Sequence, residues 1–327
     1  MKKTIAYQGE PGANSHIACD LYDKNLEPVA CRTFDQVFNN VVNKKNDYAM
    51  IPIENSIAGR VADIHRLMPT SGLKIIGEFF LEIHHALMGV EGSTLETLSS
   101  VRSHEMALSQ CRNSIKELGL DPRSSADTAG SAREISEIND LSIGAIASPL
   151  AAEIYNLKIL KENMEDKGFN TTRFLILSRE DIELEKLEGP MITTLVFRVR
   201  NVPSALYKAL GGFATNGVNM LKLESYQVDG SFLATQFYVD IEGHYKEDSI
   251  KLEDVLDILM GTKSSNPNVL LTVTEVMSVR KGKYGPYIFY KTESMKKPRF
   301  LKLPKDREWR SMKKQEISSW CREEYGV

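Results

Sequence analysis

In Gly168-Phe169-Asn170-Thr171-Thr172-Arg173-Phe174-Leu175-Ile176-Leu177, two hydroxyls and a permanent cation stand directly before an apolar run. The run reads as a buried strand, and a strand end holds its side chains at a fixed spot. Thr172 offers a neutral O–H donor, and Arg173 a planar fork that matches a carboxylate. The pair suits a site that holds an acidic substrate and gives it a hydrogen bond or a proton. Thr and Phe are also ordinary strand formers, so this stretch gains its meaning from the rest of the chain.

Four further polar clusters follow strand-like runs. Gly9, Gly12, Asn14 and Ser15 precede a helix, as an anion-binding loop or as a plain βα turn. The Lys-Ser/Thr of a phosphate loop and the G-x-G-x-x-G pattern are both missing, which argues against a nucleotide. In Glu54-Asn55-Ser56, Ser56 is a natural helix N-cap, but capping does not account for Asn55. Ser103 can cap the next helix, with Gln110 two turns along the same side; Asp127-Thr128 starts another among small residues. No nucleophile is matched with a base, and no His, Cys, Asp or Glu spacing suits a metal. His84 and His85, adjacent on a strand, would point to opposite faces. A site of Asn, Ser, Gln, Thr and Arg without a cofactor suits a reaction driven by the substrate itself.

Alternating elements must position these clusters. Short apolar runs at 4–8 and 48–53 predict buried parallel strands. Between them Phe34, Val37, Phe38, Val41 and Val42 follow helical spacing. Strands at 73–80, 85–90, 101–102 and 143–147 alternate with helices at 105–118, 129–136 and 148–157, which argues for α/β layers. In such sheets, sites lie at the carboxyl ends of strands. A charge-dense segment closing on Gly189-Pro190 reads as a linker over 181–192. After it, strands at 193–199, 219–227, 232–241 and 269–277 with helices at 204–216 and 248–262 predict a ferredoxin-like βαββαβ sandwich, turned at Asp229-Gly230.

The 327 residues, 42% hydrophobic and 26% charged, suit a soluble protein of two or three domains. No apolar run approaches bilayer length, and the N-terminus is too polar for a signal peptide. Cys19, Cys31, Cys111 and Cys321 lack any pairing pattern and read as reduced thiols of a cytosolic protein. The net charge of −3 conceals an asymmetry: 279–327 holds 14 Lys/Arg against 6 Asp/Glu, and 1–278 holds 27 against 38.

In order, Gly9-x-x-Gly12-x-x-Ser15, Pro52-Ile53-Glu54-Asn55-Ser56, Ser103-His104 with Gln110-Cys111, Asp127–Ala132 and Asn170–Phe174 resemble prephenate dehydratase, over about residues 3–278. The resemblance implies an α/β, two-lobed periplasmic-binding-protein-like catalytic domain over 1–180, with lobe one about 1–78 and 168–180 and lobe two 79–167. It implies an ACT regulatory domain at 193–278 and a monofunctional, cofactor-free enzyme. Its reaction would convert prephenate to phenylpyruvate, water and CO2; arogenate dehydratase is the near alternative. By the same resemblance Thr172 donates to the leaving hydroxyl, and Asn55, Gln110 and Ser103 orient the substrate. Glu54, Ser56, Thr128, Asn170, Thr171 and Arg173 would line the site. L-Phenylalanine would act at Ser204, Ala205, Leu206, Asn216, Asn219, Glu224 and Ser225, in a homodimer or homotetramer.

Three departures stand out. Glu105-Met106 replaces the family's Pro-Gln and adds a negative charge near a site for a dianion. Ser204 replaces the Gly of Gly-Ala-Leu, and Tyr226-Gln227 replaces Arg-Pro. Residues 279–327 lie outside the family and weakly resemble short modules near the C-termini of some topoisomerases. A solvated basic appendage that docks on the acidic body is the favoured reading of them, over a nucleic-acid surface. The competing reading for the whole chain is a catalytically silent amino-acid sensor with a nucleic-acid-binding tail.

Overall fold

The computed structural model describes residues 2–181, 189–215, 217–227, 234–243, 269–274, 276–282, 285–292, 295, 297–304, 309, 312 and 314–327. The chain divides into two compact units, 1–186 and 187–327, with the division inside the expected linker. Among the described residues no helix is long and apolar enough to cross a membrane.

The first unit runs β1 Thr4–Gln8, α1 Asn14–Tyr22, β2 Glu27–Cys31, α2 Phe34–Val42, β3 Tyr48–Asn55, β4 Gly59–Arg60, α3 Ala62–Ser71 and β5 Lys74–Glu82. It continues β6 Ala86–Gly89, β7 Ser100–His104, α4 Glu105–Gln110, α5 Arg112–Glu117, β8 Asp121–Ser125, α6 Thr128–Ile138, β9 Ile143–Ala147, α7 Pro149–Ile154, β10 Lys158–Lys161 and β11 Thr171–Ser178. These strands make two sheets, ordered β2-β1-β3-β11-β5, with β4 on β3, and β10-β6-β9-β7-β8. In the first, β1 is parallel to β2 and β3, whereas the returning β11 is antiparallel to β3 and β5.

Helices on both faces of the first sheet explain why β11 reads as a continuous apolar run rather than an alternating one. Leu175 and Leu177 pack with Val37, Phe38, Val41 and Ile64, while Phe174 and Ile176 pack with Tyr7, Ala18 and Cys19. The second lobe is built likewise: Ala145 and Ala147 of β9 face α6, and Ile146 faces Ala107, Cys111 and Ile115.

Two expectations change, three unforeseen strands join the sheets, and one of two open alternatives is selected. The strand expected to end at Phe80 runs to Glu82 against β11, so the passage between lobes lies at 83–85 rather than near 78. The helix expected over 105–118 breaks at Cys111 (φ −109, ψ 18), where the Asp166 carboxylate accepts the N–H groups of Asn113 and Ser114. The strands at 27–31, 121–125 and 158–161, unforeseen from the sequence, carry at most three apolar residues in a row. β2, β8 and β10 are edge strands, where polar residues and Pro122 are tolerated. Loop 9–13 is occupied by its own fold: the Gly12 N–H donates to His16 Nδ1 at 3.0 Å, and the Pro11 carbonyl accepts from Tyr155. It packs the first lobe onto α7, which makes it a structural turn.

The second unit runs β12 Ile192–Arg198, α8 Ala205–Thr215, β13 Met220–Gln227 and β14 Ala234–Glu242, with a sheet ordered β12-β14-β13. Phe197, Phe213, Phe237, Val239 and Ile241 form its core under α8. The expected helix at 248–262 and the turn at 229–230 lie outside the described residues. β15 Val269–Thr274, expected to close this sheet, pairs instead with β16 Met277–Gly282, followed by β17 Gly285–Tyr290 and β18 Arg299–Leu301. Helix α9, Lys314–Tyr325, packs Ile317 and Cys321 onto Val273, Val279, Ile288 and Leu301. Among the described residues the basic C-terminal segment is therefore folded rather than a solvated appendage: Val279, Ile288, Leu301, Ile317 and Cys321 are buried and share a core with Val273 of β15.

Candidate active site

Pairing of β3 with β11 sets Asn55 opposite Thr172. The Asn55 side chain donates from Nδ2 to Thr172 Oγ1 at 2.9 Å, to Asn170 Oδ1 at 2.7 Å and to the Thr171 carbonyl at 3.3 Å. Its own Oδ1 accepts the backbone N–H groups of Ile57 and Ala58, an Asx turn that locks the amide. Asn170, 2% exposed, passes the chain on by donating to Gln110 Oε1 at 3.1 Å. Four of the expected residues, Thr172, Asn55, Asn170 and Gln110, thus form one relay that spans both lobes.

The two passages between lobes hold this relay in place. Ile83 N–H donates to the Asn170 carbonyl, Met164 N–H to that of His85, and Asp166 N–H to that of Gln110. Glu165 accepts from the His85 N–H and lies 2.9 Å from His84 Nδ1. Burial alone would raise the Glu165 carboxyl, but these two contacts hold it below the usual carboxylate range. The site is built from strand ends and crossovers, so its geometry follows from the backbone.

The remaining expected residues take other roles. Ser56 accepts the Thr171 N–H at 2.9 Å and donates its own N–H to the Thr171 carbonyl, clamping the strand entry. Ser103 is fully buried and donates to the Ile146 carbonyl at 2.6 Å, which commits its proton to β9. Thr128 opens α6 behind Asp127, whose carboxylate caps the Gly130 N–H. Arg173 does not present its fork to the relay. Alternation along β11 turns it to the face opposite Thr172, where Glu78 (2.7 Å) and Glu54 (3.3 Å) hold it. Glu105 is exposed at the first turn of α4, a position that favours negative charge.

Sequence reasoning passed over His85, which is 3% exposed with Nε2 2.9 Å from Gln110 Oε1. Its signal was a polar residue inside an apolar strand-like run, Ile83 to Val90. The cysteines add no nucleophile: all four are unpaired and buried, and burial pushes Cys111 up to about 12 and Cys321 up to about 11.

In the second unit, Ser204 adopts a left-handed φ of +64° just before α8, Ala205 begins the helix, and Leu206 packs on its core. Asn219 donates to Glu242, and Glu224 pairs with Lys222 at 3.0 Å. Ser225 lies opposite Phe237, whereas Asn216 lies outside the described residues.

Residues 5–182 match the family model described as prephenate dehydratase. A Komagataeibacter europaeus protein named bifunctional N-acyl-homoserine lactone acylase/prephenate dehydratase is 49% identical over 243 residues, covering 74% of this chain and 86% of that one. Arogenate dehydratase/prephenate dehydratase 1 of Arabidopsis thaliana is 39% identical over 255 residues, and the match spans 74% of this chain but only 65% of the plant protein. The crystal structure of prephenate dehydratase from Arthrobacter aurescens in complex with L-Phe superposes with a TM-score of 0.71 at 28% identity, covering 79% of this chain and 86% of that one. With more than half of its length matched by the family model and this inter-lobe relay in place, the chain belongs to the prephenate dehydratase family.

Proposed function

We propose that the chain catalyses the decarboxylating dehydration of prephenate to phenylpyruvate, with the Gln110–Asn170–Asn55–Thr172 relay as its working part. The relay is the observation that carries the reading. Asn55 fills a lone pair of the Thr172 oxygen, which leaves the Thr172 O–H to donate a hydrogen bond to a substrate. In the reaction the C–C bond to the ring carboxylate breaks, its electrons enter the ring, and CO2 departs. The C–O bond breaks as those electrons complete the aromatic ring, and the departing hydroxide takes a proton from solvent to leave as water. Aromatisation supplies the driving force, so the protein has to hold the dianion and assist the departing oxygen. Threonine is a very weak acid, so Thr172 acts by hydrogen-bond polarisation of that oxygen.

Phenylalanine is the proposed effector, at the start of α8 around Ser204, Ala205 and Leu206, supported by the L-Phe complex of the A. aurescens relative. A homodimer or homotetramer paired through the β12–β14 unit would cover its edge strands. The buried, unpaired thiols support action in the cytosol. The test is phenylpyruvate formation from prephenate, beside phenylalanine formation from arogenate, with and without added phenylalanine. Absence of turnover on both substrates would move the assignment to a silent amino-acid sensor.

The name of the K. europaeus relative favours a second reading, hydrolysis of an N-acyl-homoserine lactone. Release of homoserine lactone by the unmutated chain, assayed beside Thr172→Ala, tests it and shows whether the same cleft is used.

A further inference from the structure

The polarity of the relay can be read from the end that admits no choice. Backbone N–H groups only donate, and those of Ile57 and Ala58 lie 3.0 and 2.8 Å from Asn55 Oδ1. Asn55 must therefore turn its NH2 toward Asn170, whose facing atom is Oδ1. Asn170 in turn offers NH2 to Gln110, whose facing atom is Oε1. An amide oxygen only accepts. His85, with Nε2 2.9 Å from that oxygen, must then carry its proton on Nε2. Two backbone amides at one end thus set the tautomer of a histidine in the passage between the lobes.

We propose that His85 is a positioning residue for the reaction: its Nε2–H fixes the Gln110 amide so that the Gln110 NH2 faces the substrate. This inference rests on the dehydratase reading. With two donors converging on Oε1, the Gln110 amide has one orientation. Without His85, one donor from Asn170 remains, and the amide gains freedom that the substrate must take away.

The surroundings of the ring suit this task. Its Nδ1 is buried and, among the described residues, has no hydrogen-bond partner, so a second proton would have no acceptor. The charged and titratable groups around it are Glu165, which accepts the His85 backbone N–H, and the neighbouring His84. Burial lowers the His85 pKa below its ordinary 6.5, against the opposing pull of Gln110 and Glu165. The neutral Nε2–H form is therefore the one held. His85 is buried against Gln110, and its influence passes through that residue.

The test uses the full chain, with His85→Leu and His85→Gln made both alone and with Gln110→Ala. His85→Leu is expected to lower kcat by about 10–100-fold, with KM changing less. His85→Gln, which returns an N–H near the Nε2 position, is expected to recover most of the loss. In the Gln110→Ala background, His85→Leu should cost no more than about twofold further. An undiminished loss in that background would mean a general structural role and would overturn the proposal. Nitrogen-15 NMR of the unmutated chain gives a readout independent of mutant folding. Protonated Nε2 with a lone pair on Nδ1 near neutral pH is expected; an Nδ1–H tautomer or an imidazolium would refute it. Failure of the unmutated chain to turn over prephenate would instead remove the dehydratase reading, and this proposal with it.

Discussion

Asn55 Nδ2 lies 2.9 Å from Thr172 Oγ1, a bond between residues 117 apart in sequence and opposite each other in the β3–β11 pairing. It ties the proposed donor to an amide that is itself locked by two backbone N–H groups. Thr172→Ala is expected to reduce kcat for phenylpyruvate formation by about 10²–10³-fold, the loss typical of one preorganised donor. Thr172→Ser, which keeps the hydroxyl, is expected to retain most of it. Equal losses in Ala and Ser would show that the methyl group, not the hydroxyl, matters.

Arg173 offers a contrast in the next residue. Its side chain is 12% exposed, and its guanidinium is held by Glu54 and Glu78, each about one-third exposed. Arg173→Ala would leave two carboxylates facing each other, at about 1–3 kcal/mol after allowance for solvent screening. Urea unfolding is the measurement. A large rise in KM with unchanged stability would return Arg173 to the substrate.

Acid sensitivity should appear in two windows. His85 has a lowered folded pKa, so the unfolded chain binds a proton that the folded chain refuses. Its contribution is complete above its ordinary 6.5 and is lost as the pH falls from there toward the folded value. Glu165 is also lowered, from 4.5, so its contribution is present above that value and is lost at still lower pH. Thermal melting of His85→Gln against the unmutated chain should show the first slope flattened and the second kept.

Gly12 is a packing point between lobes. A Cβ there would sit 2.7 Å from Ala151 Cα, at a φ of +89° that L side chains rarely adopt. Gly12→Ala should cost about 2–4 kcal/mol, from overpacking and backbone strain together. Circular dichroism melting checks this, and little change would mean that loop 9–13 moves freely.

Ser204 holds a left-handed φ of +64° without the freedom of glycine. Ser204→Gly should stabilise the chain by about 1 kcal/mol by relieving that conformation. Urea titration measures it, and a loss of stability would show that the Ser204 side chain makes a compensating contact.

Much of this molecule was determined by the sequence itself. Strands buried on both faces announce themselves as continuous apolar runs, so β1, β3, β9 and β11 were legible. The cap at Asp127 acts within one turn of its own helix and was legible for the same reason, whereas Ser56 and Ser103, also read as caps, bond to other strands instead. The polar motifs named Asn55, Gln110, Asn170 and Thr172 as chemistry-bearing residues, because their order along the chain is a property of the sequence.

Tertiary structure decided the rest, since long-range pairing and face depend on register rather than on composition. It joined Asn55 to Thr172, broke the helix at Cys111 through the carboxylate of Asp166, and gave the fork of Arg173 to two glutamates. It also made His85, which looked like a strand residue beside another histidine, a partner of Gln110. In the second unit β15 chose β16 over the sheet of β12–β14. An apolar alternation specifies which face of a strand is buried but not which neighbour covers it, and only the fold as a whole supplies the partner.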